Sequence, residues 1–165
     1  MTITWTRLIL TTTMRSKKDN IAEYILYLWQ MEDYLRAFPE QADATPELHE
    51  LNEMMHREGI IDGGHLALAN NALAELVDLH AQLLNEDAMY RAAIIRLQPS
   101  LNLLKAKTDR PTMPDIEACL VLLYQIMMLR LQKHEITPQT ASVQQQATQV
   151  LQFLSKTYYA NQRAV

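Results

Sequence analysis

Turn-forming residues are scarce in this sequence, and their placement limits the folds that it can adopt. The 165 residues include three glycines and six prolines, and all three glycines lie in one short stretch, at Gly59, Gly63 and Gly64. β-Sandwiches need a turn about every 8–12 residues, and glycine and proline form many of those turns. The scarcity therefore disfavours a turn-rich β fold and favours long helices.

Capping residues and apolar periodicity predict six helices. Asn20 precedes an apolar segment and Glu23 follows three residues later, as in a capping box. The pairs Thr45-Pro46 and Thr137-Pro138 predict two further helix starts, because proline is well tolerated at the first helical position. Apolar residues then recur at intervals of three and four. The predicted helices cover residues 21–37, 46–57, 65–85, 87–107, 114–133 and 138 onward.

These segments predict an all-α fold, an up-and-down helical bundle of four long helices plus one or two shorter ones. Pro99 falls inside the fourth segment, so we expect a kink or a break into two short helices there. Residues 16–160 are predicted to form one helical-bundle domain. Residues 1–15 are predicted to be either a disordered extension or a mis-annotated stretch before a natural start at Met14.

Composition excludes several classes of protein. Hydrophobic residues make up 48% of the chain, which is enough for a buried core, and the single cysteine excludes a disulfide framework. The formal net charge of -4 argues against a basic nucleic-acid-binding protein. No apolar run approaches the length of a membrane span, and no secretory signal is evident. The sequence therefore predicts a cytoplasmic protein that contacts neither nucleic acid nor membrane.

The first and fifth predicted helices carry more apolar surface than one bundle core readily absorbs. In the first helix, Tyr27, Trp29 and Met31 extend the apolar surface around most of the circumference, and the fifth contains Leu122 in a long apolar run. A helix that is apolar nearly all round is either central or part of an oligomer interface. The second possibility predicts a homodimer, or a complex with a protein partner, through these four residues.

Five polar residues interrupt the apolar helices and form a candidate polar cluster. Glu32, Asp33 and Arg36 lie on the first helix, and Arg130 lies close to the buried side of the fifth. A buried arginine needs a carboxylate partner, so we predict that Glu32 or Asp33 pairs with Arg130, either as a structural strut or as part of an anion site. His80 lies in the apolar seam of the third helix. It is either an acid–base or ligand-binding group, or a core histidine bonded to a carbonyl or a tyrosine.

Metal and catalytic motifs are weak. His49, Glu53 and His56 lie at helical spacing, but a di-iron bundle needs a second Glu-x-x-His pair, so a solvated polar face is favoured over a metal site. Cys119 lies in an apolar helix without a base, which is typical of an inert buried residue. Phosphate loops, nucleophile elbows and His-Glu-x-x-His are absent. The sequence therefore predicts no metal and no cofactor, and it leaves enzymatic activity open while favouring its absence.

Two segments carry a resemblance to a known family. Asn20 to Asp33 (NIAEYILYLWQMED) resembles the opening signature of an uncharacterised helical family found mainly in Bacteroidetes. The segment from Glu117 to Thr140, with Leu129-Arg130-Leu131, is similar to that family's later signature. The resemblance covers residues 16–159 and implies an all-helical fold. The family is catalogued as a domain of unknown function, so the resemblance implies no activity, cofactor or catalytic residue, but its members' start near the first helix supports Met14.

Two functions are compatible with these features of the sequence. The favoured one is a helical protein that acts by self-association or protein–protein interaction, because of the surplus apolar surface. The alternative is a bundle that binds a small molecule or a metal near His80, Arg130 and Glu32. The alternative requires these residues to converge around a cavity.

Overall fold

Six α-helices form most of the part of the chain that the structure describes. The computed structural model of the chain describes Lys17 and residues 19–164, and in this part it contains no strand. The predicted all-α helical bundle is therefore confirmed. The helices are α1 (Ile21–Ala37), α2 (Pro46–Glu58), α3 (Ala67–Glu86), α4 (Ala88–Lys107), α5 (Asp115–Leu131) and α6 (Pro138–Arg163), with a short 3-10 turn at Pro39–Gln41.

Side chains cap the helices whose starts the sequence predicts. Asn20, Thr45 and Thr137 each accept a hydrogen bond of 3.1 Å from the backbone N–H three residues further on. Proline follows the second and third of these caps and occupies the first helical position. At its other end, α2 stops at Gly59, whose φ of 69° is a left-handed conformation that glycine adopts without steric cost.

The central element of the bundle is α1, which packs against α2, α3, α5 and α6. Tyr27, Trp29 and Met31 are 6%, 5% and 2% exposed, so the chain's own core covers them. They cannot contact a second copy while the bundle is folded, and the prediction that they form an interface is wrong. Leu122 on α5 is half-buried against the same core. Of the two positions open to a helix that is apolar all round, α1 takes the central one.

Pro99 does not divide α4. The helix runs unbroken from Ala88 to Lys107, so the predicted break into two short helices is wrong. Proline frees one backbone carbonyl, that of Ile95, but both residues are exposed and water can hydrate it. Leu97 and Leu101 are fully buried on either side of the proline and hold both halves of the helix against the core.

The connection between α2 and α3 brings chain segments together over the middle of α1, where His65 and Leu66 contact Glu32. The predictions for residues 1–15 lie outside the described residues. Within the described part, no helix has both the length and the apolar character needed to cross a bilayer.

Candidate functional site

A buried carboxylate organises the candidate site. The side chain of Glu32, on α1, is 0% exposed. Its Oε1 atom lies 2.6 Å from Nδ1 of His65, and its Oε2 atom accepts a hydrogen bond of 2.9 Å from the backbone N–H of Leu66. Leu66 is the N-cap residue of α3, so the carboxylate lies at the positive end of that helix. Both oxygens are therefore satisfied at a place where an unpaired charge would be costly.

This pairing assigns the proton positions on the His65 ring. A carboxylate can only accept hydrogen bonds, so Glu32 is the acceptor and Nδ1–H is the donor. The other ring nitrogen, Nε2, has no hydrogen-bond partner among the described residues, and the side chain of His65 is 41% exposed. In the neutral ring, Nε2 is therefore an acceptor that is available to a ligand.

The glycine-containing connection fixes the position of His65. Gly64 has a φ of 91°, a left-handed conformation that a residue with a side chain would adopt only under strain. Arg36 holds the same connection, because its Nη2 donates to the carbonyl oxygen of Ile60 at 2.9 Å and to that of Gly64. Its Nη1 donates to Asp33 at 3.2 Å. The arginine therefore ties the connection to α1 next to the buried carboxylate.

Two aromatic residues extend the site toward α5. The His65 ring stacks on Trp29 with a centroid distance of 4.8 Å and an angle of 23°, and Tyr124 meets Trp29 edge-on at 6.0 Å. The Tyr124 hydroxyl donates to the Asp33 carboxylate. Burial, together with this acceptor, raises the pKa of Tyr124 well above its ordinary value, so the phenol keeps its proton. The three rings form an aromatic cluster, which α1 carboxylates hold at both ends.

A cleft of about 580 Å³ lies beside this aromatic cluster, between α1, His65 and α5. Its volume is within the range that small-molecule sites usually have. Apolar and polar side chains both reach it, which allows a ligand to be held by burial and oriented by hydrogen bonds. The lining residues are Trp29, Asp33, His65, Val121, Tyr124, Gln125, Met128, Leu129 and Gln132.

The site contains part of the predicted polar cluster and two residues that the sequence patterns did not single out. Glu32, Asp33 and Arg36 lie together here, as neighbours on α1. The missed residues are His65 and Tyr124. His65 directly follows two glycines and precedes an apolar helix, and that sequence was the available signal. Tyr124 gave no separate signal, because it lies inside an apolar run.

Arg130 is not part of this cluster. It is exposed in the last turn of α5 and donates a hydrogen bond of 2.8 Å to the side chain of Gln144 on α6. The predicted ion pair with Glu32 or Asp33 is therefore wrong. Arg130 lies on the same side of α5 as Cys119, but eleven residues correspond to about 16 Å along a helix axis, and the core has ended there.

His80 is a core histidine bonded to a tyrosine, which is one of the two interpretations of the sequence. It is 8% exposed, and its Nδ1 atom lies 2.7 Å from the hydroxyl of Tyr90. Burial lowers the pKa of His80, Asp115 opposes this shift, and Lys105 adds to it. Burial also raises the pKa of Tyr90, so the phenol remains protonated and donates to the neutral imidazole.

The lowered pKa of His80 predicts that acid destabilises the fold. In the unfolded chain His80 takes up a proton near pH 6.5, whereas the folded protein does so only at lower pH. Between these values the unfolded state binds more protons, so the free energy of unfolding falls as the pH drops below 6.5. We expect His80→Gln to reduce this slope, measured by urea unfolding from about pH 7.5 to about pH 5.

The titration of His49 does not obscure the comparison between the wild type and His80→Gln. Asp43 raises the pKa of His49, which contributes the opposite slope and is present in both proteins. Identical slopes in the wild type and in His80→Gln would contradict the prediction.

The weak metal candidates lie on a solvated face of α2. His49, Glu53 and His56 are all exposed on α2, and the His49 ring contacts Asp43 at 2.6 Å and Glu53 at 3.2 Å. Across the residues that the structure describes, no group of three or more His, Cys, Asp or Glu side chains is arranged to hold a metal ion. Cys119 is fully buried, and burial raises the pKa of its thiol to about 12, which makes it unreactive.

Comparisons with known proteins identify a family but no activity. The family model described as Domain of unknown function (DUF4924) matches residues 10–47 and 39–164. No curated protein and no solved structure matches the chain. The function therefore has to be argued from the geometry of the site.

Proposed function

The chain belongs to the family Domain of unknown function (DUF4924), which assigns no activity, and we propose from its geometry that it binds a small organic molecule in the cleft beside Glu32 and His65. One observation carries the proposal: a fully buried carboxylate orients a histidine whose second ring nitrogen is left unpartnered within the described part of the chain. This is the small-molecule alternative from the sequence, with His65 and Tyr124 in place of His80 and Arg130.

The arrangement around His65 supports a binding role over a purely structural one. The backbone N–H of Leu66 and the positive end of α3 already stabilise one oxygen of Glu32. The second oxygen fixes the tautomer of the imidazole, and stacking on Trp29 fixes the plane of the ring. An acceptor that is oriented in advance favours binding, because no side chain has to be ordered when the ligand arrives.

The lining of the cleft indicates the chemistry of its ligand. The half-buried Val121 and Met128 present apolar surface, which favours a mainly apolar body. The Asp33 carboxylate already accepts hydrogen bonds from Tyr124 and from Arg36 on α1, so it does not require a cationic ligand. Nε2 of His65 is the acceptor whose direction other side chains fix, because Glu32 and Trp29 hold the ring. We therefore infer a neutral, mainly apolar molecule that donates one O–H or N–H group to His65.

Glu32→Gln tests this proposal, because it keeps the shape of the side chain and inverts the hydrogen bonding of His65. The amide oxygen can still accept from Leu66, but the amide nitrogen donates to Nδ1 and moves the ring proton to Nε2. We expect 15N NMR to report the proton on Nδ1 in the wild type and on Nε2 in the variant. Indole should then bind the variant about tenfold more weakly, because two donors would face each other.

Matched ligands and a matched variant make this test specific. 1-Methylindole has no N–H, so its binding should be weak and the same in both proteins. His56→Gln removes an exposed histidine on α2 and should leave indole binding unchanged. Equal wild-type affinities for indole and 1-methylindole, or ring signals of His65 that indole does not shift, would overturn the proposal.

A separate observation favours a second function, self-association through the outer face of α4. Ile95 and Leu103 are 66% and 56% exposed, and they lie on the same side of the helix as the exposed Pro99. Exposed apolar residues that share one face are typical of contact surfaces. We propose that two copies of the chain pair through this face of α4.

Ile95→Glu is expected to convert such a dimer into a folded monomer, because pairing would bury the new charge without a partner. Leu68→Glu is the matched control, since Leu68 is 43% exposed on α3 and lies outside the proposed interface. Native mass spectrometry at micromolar concentrations measures the subunit count directly. A monomeric wild type under these conditions would contradict the second function.

A further inference from the structure

A groove between α4 and α6 is a second concave surface, separate from the cleft beside His65. Its volume is about 280 Å³. Tyr90 and Val150 are each 4% exposed and form its base, whereas Met89 and Phe153 are 85% and 41% exposed and border it. The groove therefore combines a rigid apolar base with walls that lose much of their contact with water when a ligand covers them.

Two aromatic rings lie next to each other in the apolar part of the groove. The rings of Tyr90 and Phe153 stack with a centroid distance of 5.8 Å and an angle of 29°. The Tyr90 hydroxyl is bonded to His80 in the core, so the phenol ring is held in place from below. Phe153 is 41% exposed and forms the outer wall. A planar or chain-like apolar group fits against this surface better than a bulky one.

One charge in the groove has no oppositely charged partner among the described residues. Arg96 lines it, and no carboxylate in the described ranges (residue 17 and residues 19–164) forms an ion pair or hydrogen bond with this guanidinium. Asp87 also lines the groove, but its carboxylate caps α4 by accepting from the N–H of Tyr90 at 2.9 Å. Nine residues separate the two charges, which is about 13 Å along the helix. The groove therefore attracts an anion at one end and repels one at the other.

We propose that this groove binds an apolar organic acid with a single anionic group, a carboxylate or sulfonate, whose charge pairs with Arg96 and whose apolar body lies over Tyr90 and Phe153. Guanidinium binds such groups through two parallel hydrogen bonds. The Asp87 carboxylate disfavours a second anionic group at the far end, so a dianion does not fit. The volume is near the lower limit for small-molecule sites and too small for a helix from a partner protein.

The test uses 1-anilinonaphthalene-8-sulfonate, an apolar sulfonate that fluoresces when it is bound. We expect saturable binding of one molecule to the folded wild type, with near-UV circular dichroism unchanged. Arg96→Gln should weaken binding at least tenfold, because a charge-assisted pair is lost. Lys107→Gln changes the net charge equally on the same helix and should have little effect. His65→Gln should also have little effect, which separates this groove from the cleft.

Competition then identifies the anionic group as the determinant. Octanoate should displace the dye from the wild type, and octanol, which has the same chain and no charge, should do so only at much higher concentration. N-Phenyl-1-naphthylamine, the uncharged analogue of the dye, should bind the wild type and Arg96→Gln equally. The proposal is overturned if saturable binding is absent, if Arg96→Gln binds the dye as Lys107→Gln does, or if octanol competes as well as octanoate.

Discussion

Glu32→Ala is expected to lower the free energy of unfolding by about 3 kcal/mol. The substitution leaves the N–H of Leu66 without an acceptor in the protein interior, which by itself costs about 1–3 kcal/mol. It also removes an anion from the positive end of α3, which adds about 1 kcal/mol in a buried setting. His65 loses the partner that orients its ring. Urea unfolding followed by far-UV circular dichroism measures the loss.

Two further variants show whether the carboxylate itself is responsible. Glu32→Gln keeps an acceptor for Leu66 and should lose only about 1 kcal/mol. Glu50→Ala removes an exposed carboxylate on α2 and should change stability by less than about 0.5 kcal/mol. If Glu32→Ala were as stable as Glu50→Ala, Glu32 would not be the organising residue of the site.

The sequence predicted the helices well because their boundaries depend on local chemistry. Asn20, Thr45 and Thr137 cap helices in the structure at the positions where the sequence placed them. A cap needs only the backbone of the next three residues, so its signal is contained in a short stretch of sequence. Pro99 was harder to interpret, because the burial of Leu97 and Leu101 decides whether a helix continues through a proline.

The site was predicted less well, because it depends on contacts between distant segments. Periodicity gives the direction in which a residue points from the helix axis, but it does not show where along that axis the core ends. The predicted pairing of Arg130 with Glu32 or Asp33 is wrong for this reason, because Arg130 instead contacts Gln144. The contact between Glu32 and His65 spans 33 residues and depends on how the connection after α2 folds back over α1. In the sequence, the glycine at position 64 was the signal that this connection changes direction.

Trp29→Ala is expected to lower the free energy of unfolding by about 4 kcal/mol, the usual range for a tryptophan removed from a core. Trp29 is 5% exposed and contacts both His65 and Tyr124, so the cavity opens between α1, α5 and the connection that carries His65. Trp29→Phe keeps an aromatic surface for the His65 ring and should lose about half as much. Circular dichroism is the suitable probe, because the variants change the fluorescence itself.

The concentration dependence of this result separates a core role of Trp29 from an interface role. Replacing a core residue destabilises each copy of the chain independently. The loss of unfolding free energy caused by Trp29→Ala should therefore be the same at low and at tenfold higher protein concentration. An interface residue would give a loss that changes with concentration, because pairing contributes to the stability of the wild type. Since Trp29 is covered by its own chain, we expect the first result. Any concentration-dependent stability should instead be sensitive to Ile95 on the outer face of α4.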